Sequence, residues 1–328
     1  MQKLFEGITW SDCLTVKTDW VETFFHRIPE ILDLKVRAHA LSLKFSGNRQ
    51  ESLALAQYVG NRIEHYVFDK NELDEYRARD ENPFPMASSF FANTDPVFDG
   101  KYGELILYLL VEAIFETPMV CHKLSLLTNV KDQVKGGDGI FFGKRHDNIS
   151  ILIGESKIHQ DLGGAIGSSL ESIDRFNQNY LPSSLDHELF IARSNISKNF
   201  NLDQAKALLK AFRPGTEEYQ ACNKIFPILL IYDDKKIDTI EEDATNKDHA
   251  EELVAEWIKE HATETVKSIR SKLANKSDLR KLFLEFFLIP MSSVEIFKKT
   301  LFHKIHGIQF KAPPKDSKPK NAARKASK

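Results

Sequence analysis

The stretch Gly136 to Lys157, GGDGIFFGKRHDNISILIGESK, constrains the fold more than any other part of this chain. It reads as a β-hairpin. Gly139 to Phe142 is one short strand and Ile149 to Lys157 the other. The run Ile149, Ile151, Leu152, Ile153 is β-branched and bounded by polar residues, as a buried strand should be. The link Lys144-Arg145-His146-Asp147-Asn148 has no apolar residue and reads as a surface turn. Antiparallel partners share a constant sum of residue numbers. Asp138 and Glu155 sum to 293, which centres the turn between His146 and Asp147, where composition also puts it.

That register carries chemistry. Asp138 and Glu155 are expected opposite each other on one face, within about 5 Å at Cβ. Lys157, two residues on, falls on the same face. Two facing carboxylates repel, and apolar neighbours sharpen the repulsion. A divalent cation held by both would remove the penalty, and the Lys157 ammonium would then sit where it can orient a water for attack on phosphorus. Hard oxygen ligands suit Mg²⁺ or Mn²⁺. Taken singly, Glu-x-Lys and Asp-Gly are ordinary in a chain that is 28% charged. Their order, Asp-Gly, turn, buried strand, Glu-x-Lys, is what points to a metal site.

The Asp138…Glu155-x-Lys157 arrangement resembles the PD-(D/E)xK nuclease superfamily, with Gly137 where the signature proline would stand. The chain is more closely similar to the HamA family of Hachiman anti-phage defence systems. The matching stretches are YGELILYLLVEAIF (Tyr102 to Phe115), GGDGI (Gly136 to Ile140), ILIGESK (Ile151 to Lys157) and SSLESIDRF (Ser168 to Phe176). The resemblance implies an α/β restriction-endonuclease-like core, a mixed sheet flanked by helices, that hydrolyses DNA phosphodiesters with Mg²⁺. Asp138 and Glu155 would hold the metal, and Lys157 would position the water. It also implies an ATP-dependent helicase partner, HamB.

Tyr102 to Phe115 reads as a helix apolar nearly all round, hence buried. Glu104 is its odd residue. It is either a first-turn acid favoured by the helix dipole or, as the superfamily implies, a further metal ligand. Pro118 to Leu127 reads as a strand leading into the hairpin, and Asp161 to Asn179 as the helix after it. That helix has the stripe Leu162, Ile166, Leu170, Ile173, Phe176. Its GGAIGSS lacks the lysine of a phosphate loop, and no other stretch supplies one, so no nucleotide cofactor is expected and any motor is another chain. Its small residues Gly163, Gly164, Gly167 and Ser168 imply tight packing or close approach of a phosphate backbone. His159 is expected to cap or to lie on the surface.

Toward the N-terminus, Lys35 to Phe45 reads as a strand and Arg49 to Val67 as a helix. The stretch PFPMASSFFANTDPVFDG, ending at Gly100, reads as a connector, with Phe90 and Phe91 as core anchors. Toward the C-terminus, Leu202 to Phe212 reads as a helix and Ile225 to Tyr232 as a buried strand, whose Pro227 favours a sheet edge. A charged helix follows from His249 to Ala274, then a strand from Leu282 to Pro290 and a helix from Ser292 to His306.

With 328 residues, 42% of them hydrophobic, the chain has material for one large domain or two smaller ones. The expected division is an N-terminal α/β region at 1–95, suited to partner docking, a nuclease domain at 96–310 and a disordered basic tail at 311–328. The net charge of −2 hides an asymmetry: the tail from Lys311 carries seven basic residues and one acid, leaving the body at −8. Such a body grips DNA through a local basic groove or through a partner. The tail either adds nonspecific affinity or only solubilises. No run of about 18 apolar residues suggests a membrane span. Three separated cysteines and no hydrophobic leader read as a cytoplasmic protein. Beside the metal-dependent deoxyribonuclease stand three alternatives: a non-cutting adaptor that docks a helicase on DNA, an RNA-cutting nuclease of the same fold, and a domain where Glu155 and Lys157 merely pair.

Overall fold

The computed structural model describes residues 5, 8–91, 95–122, 137–176 and 184–311. Its strands are β1 (Phe25–Arg27), β2 (Ile31–Asp33), β3 (Val36–Leu43), β4 (Phe45–Ser46), β5 (Arg49–Gln50), β6 (Gly139–Arg145), β7 (Asn148–His159), β8 (Asn223–Asp233) and β9 (Phe283–Met291). Seven of them form one mixed sheet in the order β1-β3-β9-β8-β7-β6, with β2 also on β3; β4 and β5 pair separately. The centre, β3-β9-β8-β7, is parallel, and β6 joins β7 antiparallel. Parallel strands covered on both faces read as unbroken apolar runs, which is how Ile225 to Tyr232 and Phe286 to Ile289 read. The fold is mixed α/β, as expected. Because β3 pairs along β9, the sheet runs across the expected boundary at residue 95.

The helix Lys101–Phe115 is buried on nearly every side and packs on one face of the sheet with Phe141, Leu152, Leu229 and Phe287. The helices Leu162–Phe176, Leu202–Ala211 and Lys247–Leu273 cover the other face, over Ile140, Ile153, Ile228 and Phe286. Odd and even positions of each strand thus feed two separate cores.

The sheet curls around the C-terminal end of the buried helix. At the hairpin tip, Arg145 lies over the Phe115 ring, 3.9 Å from its centroid, and Phe115 packs on Phe287 of β9 at 4.9 Å. Arg145 and His146 both bond Glu285 of β9, each at 2.7 Å, although β7 and β8 separate β6 from β9 in the sheet.

Three expectations are corrected. Pro227 sits in β8, an interior strand between β7 and β9, not at an edge. Its missing N–H is tolerated because the β7–β8 ladder skips Ile153 and Gly154, opposite Phe226 and Pro227. Arg49 to Val67 is not one helix: Arg49 and Gln50 form β5, and helices Ser52–Gly60 and Ile63–Val67 are separated by a turn at Asn61 and Arg62. The connector before Gly100 contains a helix, Phe84–Ser89, in which Pro85 stands at a position where a helix needs no N–H donor. Phe91 is buried and stacks on Tyr102, as an anchor should. Of the strand expected from Pro118, Met119 bridges Phe141; residues 123–136, 177–183 and 312–328, including the rest of that strand and nearly all of the tail, lie outside the described residues. Among the described residues, no helix is long and apolar enough to cross a membrane, and no disulfide joins Cys13, Cys121 or Cys222.

Candidate functional site

The hairpin has the register that the sequence implies. Every pair from Gly139↔Gly154 to Arg145↔Asn148 keeps the sum of 293. Both strands run to the turn, so Lys144 and Arg145 belong to β6 and the loop is only His146 and Asp147. Both turn residues are left-handed, with φ of 48° and 62°, as in the two-residue turns whose twist matches a hairpin. At the other end the regular ladder stops at Gly139: the Asp138 N–H donates to the Gly154 carbonyl at 2.9 Å, one residue out of the sum of 293, so Asp138 lies near Glu155 without pairing directly opposite it.

Asp138 Oδ2 accepts from the Ser156 N–H and the Ser156 hydroxyl, each at 2.6 Å. Glu155 is only 3% exposed. Burial, and then the charge of Asp138, push its carboxyl up to about 7. Lys157, whose ammonium donates to Glu155 Oε1 at 2.5 Å, and the Ser172 hydroxyl pull the other way. Ser172 comes from the helix Leu162–Phe176, which packs along β7. Asp138, Glu155 and Lys157 therefore lie near one another, but Asp138 is bonded to Ser156 and is not the direct cross-strand partner of Glu155 that the sequence implies.

Two glycines set how close the buried helix comes. A Cβ on Gly103 would lie 2.7 Å from Ser156 Oγ, and one on Gly154 would lie 2.7 Å from Leu107. Glu104 follows Gly103, and its Oε2 accepts from the Tyr66 hydroxyl at 3.0 Å. The Tyr66 phenol is raised well above its ordinary value by burial, then by Glu104 and by Asp138, so both carboxylates face it. His122 Nδ1 donates to the Tyr66 carbonyl at 2.9 Å, and its Nε2 lies 3.3 Å from Asp69. His159 is exposed, and its Nδ1 accepts from the Asp161 N–H just before the next helix, a capping role.

Tyr66, Ser156 and Ser172 escape sequence reasoning. Tyr66 reads as one more apolar-face residue of a helix, and nothing local marks a serine as a carboxylate partner. Ser156 alone had a signal, as the middle residue of Glu-x-Lys. Glu112 also escapes, though an acid inside an all-apolar helix is a signal. It is buried and accepts from the N–H groups of Thr15, Val16 and Met119 at 2.8 to 3.1 Å. Burial lifts it to about 7 against those bonds, and it fastens the N-terminal segment to the helix.

Among the described residues, no three His, Cys, Asp or Glu side chains converge to enclose a metal ion. The residues that could hold a metal are the pair Asp138 and Glu155, with Glu104 bonded to Tyr66 nearby. A pair of carboxylates is sufficient for Mg²⁺, which keeps several waters. Charge supports the fit: a buried carboxylate raised by a second one is relieved by a hard cation.

Comparison with the curated proteins gives no match. The family model of HamA matches residues 17–305, which span the sheet, the hairpin and the helices on both faces, and the chain belongs to the HamA family.

Proposed function

We propose that this protein is a metal-dependent deoxyribonuclease that acts in Hachiman anti-phage defence, with a restriction-endonuclease-like PD-(D/E)xK core and under the control of a helicase partner. The observation that carries the reading is the meeting of Asp138 and Glu155 at the end of the hairpin, with the Lys157 ammonium on Glu155. Family membership and the order helix, hairpin, helix, parallel strand support it.

Asp138 and Glu155 would hold Mg²⁺ or Mn²⁺, which when bound polarises a phosphoryl oxygen. Ser156 fixes one oxygen of Asp138 and so sets the direction of the other. Lys157 is partly exposed at the edge of the pair, where its ammonium orients a water and offsets negative charge gathering on the phosphate. Tyr66 bonds Glu104 on the face of the sheet that the helix Lys101–Phe115 covers, the face of Ser156. Need for a partner follows from the missing phosphate loop, which denies the chain a motor, and from the body charge of −8.

A second reading draws on the same Lys157–Glu155 contact: the two form a structural ion pair and nothing more. It leaves unexplained why Asp138 is set beside a buried Glu155, where it raises the cost of that charge. Plasmid incubated with purified protein, Mg²⁺ or EDTA, alone and with the neighbouring helicase, separates the two. The nuclease reading expects Mg²⁺-dependent cleavage that Glu155→Ala and Lys157→Ala abolish. Absence of cleavage under every condition, with a melting temperature indifferent to Mg²⁺, leaves the ion pair.

A further inference from the structure

We propose that Arg175 is a phosphate-contacting residue of this site and grips the DNA backbone next to Glu155. The proposal rests on the nuclease reading and adds a residue to it.

Arg175 stands in the last turn of the helix Leu162–Phe176 and is exposed. Its Nη2 donates to Ser172 Oγ at 2.9 Å. Ser172 is buried, on the helix that packs along β7, the strand of Glu155. The bond to Ser172 thus holds the cation on the side of the helix that packs along β7. One donor of the guanidinium is used on Ser172. The side chain is exposed and keeps its other donors, and a guanidinium can bind a phosphate through two oxygens.

Two further observations favour a ligand over a local ion pair. Among the described residues, no carboxylate lies within 4.0 Å of Arg175; the adjacent Asp174 is taken by Lys276. Lys157, the other cation of the site, is engaged by Glu155. The helix surface leading to Arg175 is also low. Ser168, Ser172 and Arg175 share one face at helical spacing. Beside them, a Cβ on Gly167 would meet nothing within 4 Å. A strand backbone can come close to the helix there and reach the guanidinium.

The test uses the full chain, with a labelled 30-base-pair duplex in EDTA so that binding is read without cleavage, from 50 to 200 mM salt. Arg175→Ala is expected to weaken binding about tenfold at the lowest salt. It should also lower the slope of log affinity against log salt by about 0.9, one phosphate contact. Arg175→Lys should restore the slope but not the full affinity, since it keeps the charge and loses the fork. In Mg²⁺, Arg175→Ala should raise KM with a smaller effect on kcat. A salt slope and KM equal to wild type, in a variant of unchanged melting temperature, would overturn the proposal. So would a slope that Arg175→Lys fails to restore. If wild-type protein neither binds nor cuts DNA in any condition, the nuclease reading itself fails and this proposal falls with it. If wild type cuts and Arg175→Ala is indistinguishable from it, only the role of Arg175 is lost.

Discussion

Ser156 gives both its backbone N–H and its hydroxyl to one oxygen of Asp138. The residue between Glu155 and Lys157 thus aims the carboxylate on the opposite strand. Ser156→Ala keeps the backbone bond and loses the hydroxyl, so Asp138 can turn. The expected result is a 10- to 100-fold rise in the Mg²⁺ needed for half-maximal cleavage, at little cost in stability. Gly103→Ala should act in the same direction, since its Cβ would press on Ser156 Oγ from 2.7 Å. Magnesium titrations superimposable on wild type would remove Ser156 from the site.

Glu155 makes stability depend on pH in metal-free protein. Its carboxyl is raised from an ordinary 4.5 to about 7, by burial and by Asp138. The folded state therefore binds the extra proton between those values, and stability falls as pH rises through that window. Glu155→Gln removes the effect. Its melting temperature in EDTA should exceed that of wild type at pH 8, by the equivalent of about 3 kcal/mol, and match it near pH 4. Saturating Mg²⁺ should raise wild type at pH 8 and leave the variant unmoved. A Mg²⁺ shift of equal size in both would end the metal assignment.

Glu112 should matter to folding and not to chemistry. Truncation to alanine leaves the N–H groups of Thr15, Val16 and Met119 without their acceptor in a buried place. Each such loss costs about 1 to 3 kcal/mol, so a loss near 4 kcal/mol is expected in denaturant titration. Glu112→Gln, which keeps an acceptor oxygen, should cost less than half of that. Surviving protein should cut with an unchanged Mg²⁺ requirement.

Glu285 is the opposite case to Glu155. Burial raises its carboxyl, but bonds from His39, Arg145 and His146 outweigh burial and hold it at about 2. Its contribution is present above an ordinary carboxyl value of about 4.5 and is lost as pH falls toward 2. Glu285→Ala leaves Arg145 and His39 without their buried partner and should cost about 3 to 5 kcal/mol at pH 7. The same variant should lose less stability than wild type between pH 5 and 3. An acid limb as steep as wild type would show that other carboxylates govern it.

Where the chemistry was periodic or paired, the sequence was readable. The hairpin register from Gly139 to Arg145 followed from one sum and a polar turn, and it brought Glu155 and Lys157 near Asp138, although Asp138 itself is shifted out of the ladder. The helix Lys101–Phe115, the strand at Phe283–Met291 and the helix Val294–His306 followed from apolar pattern. What stayed hidden depended on contacts between distant segments. Tyr66 reaches Glu104 across 38 positions, and the bonds from Glu112 span 96 and 97 positions to Val16 and Thr15. No local rule reports such pairs. Pro227 misled for a related reason: an edge was inferred from a missing N–H, whereas the neighbouring strand offers a gap in its ladder at that level.

The hairpin turn has a consequence for what this chain can tolerate. His146 and Asp147 lie eight residues from Asp138 and Glu155, about 27 Å along the strands. Yet they decide which residues face each other at the far end, because a strand's sides alternate with every residue. One residue added to or removed from this turn would turn Glu155 and Lys157 away from Asp138 without touching any of the three. The tip is also clamped on Glu285, so slippage there would have to break a buried salt link first. The turn acts as a ruler fixed at one end: it touches no substrate, yet its length in residues specifies the site.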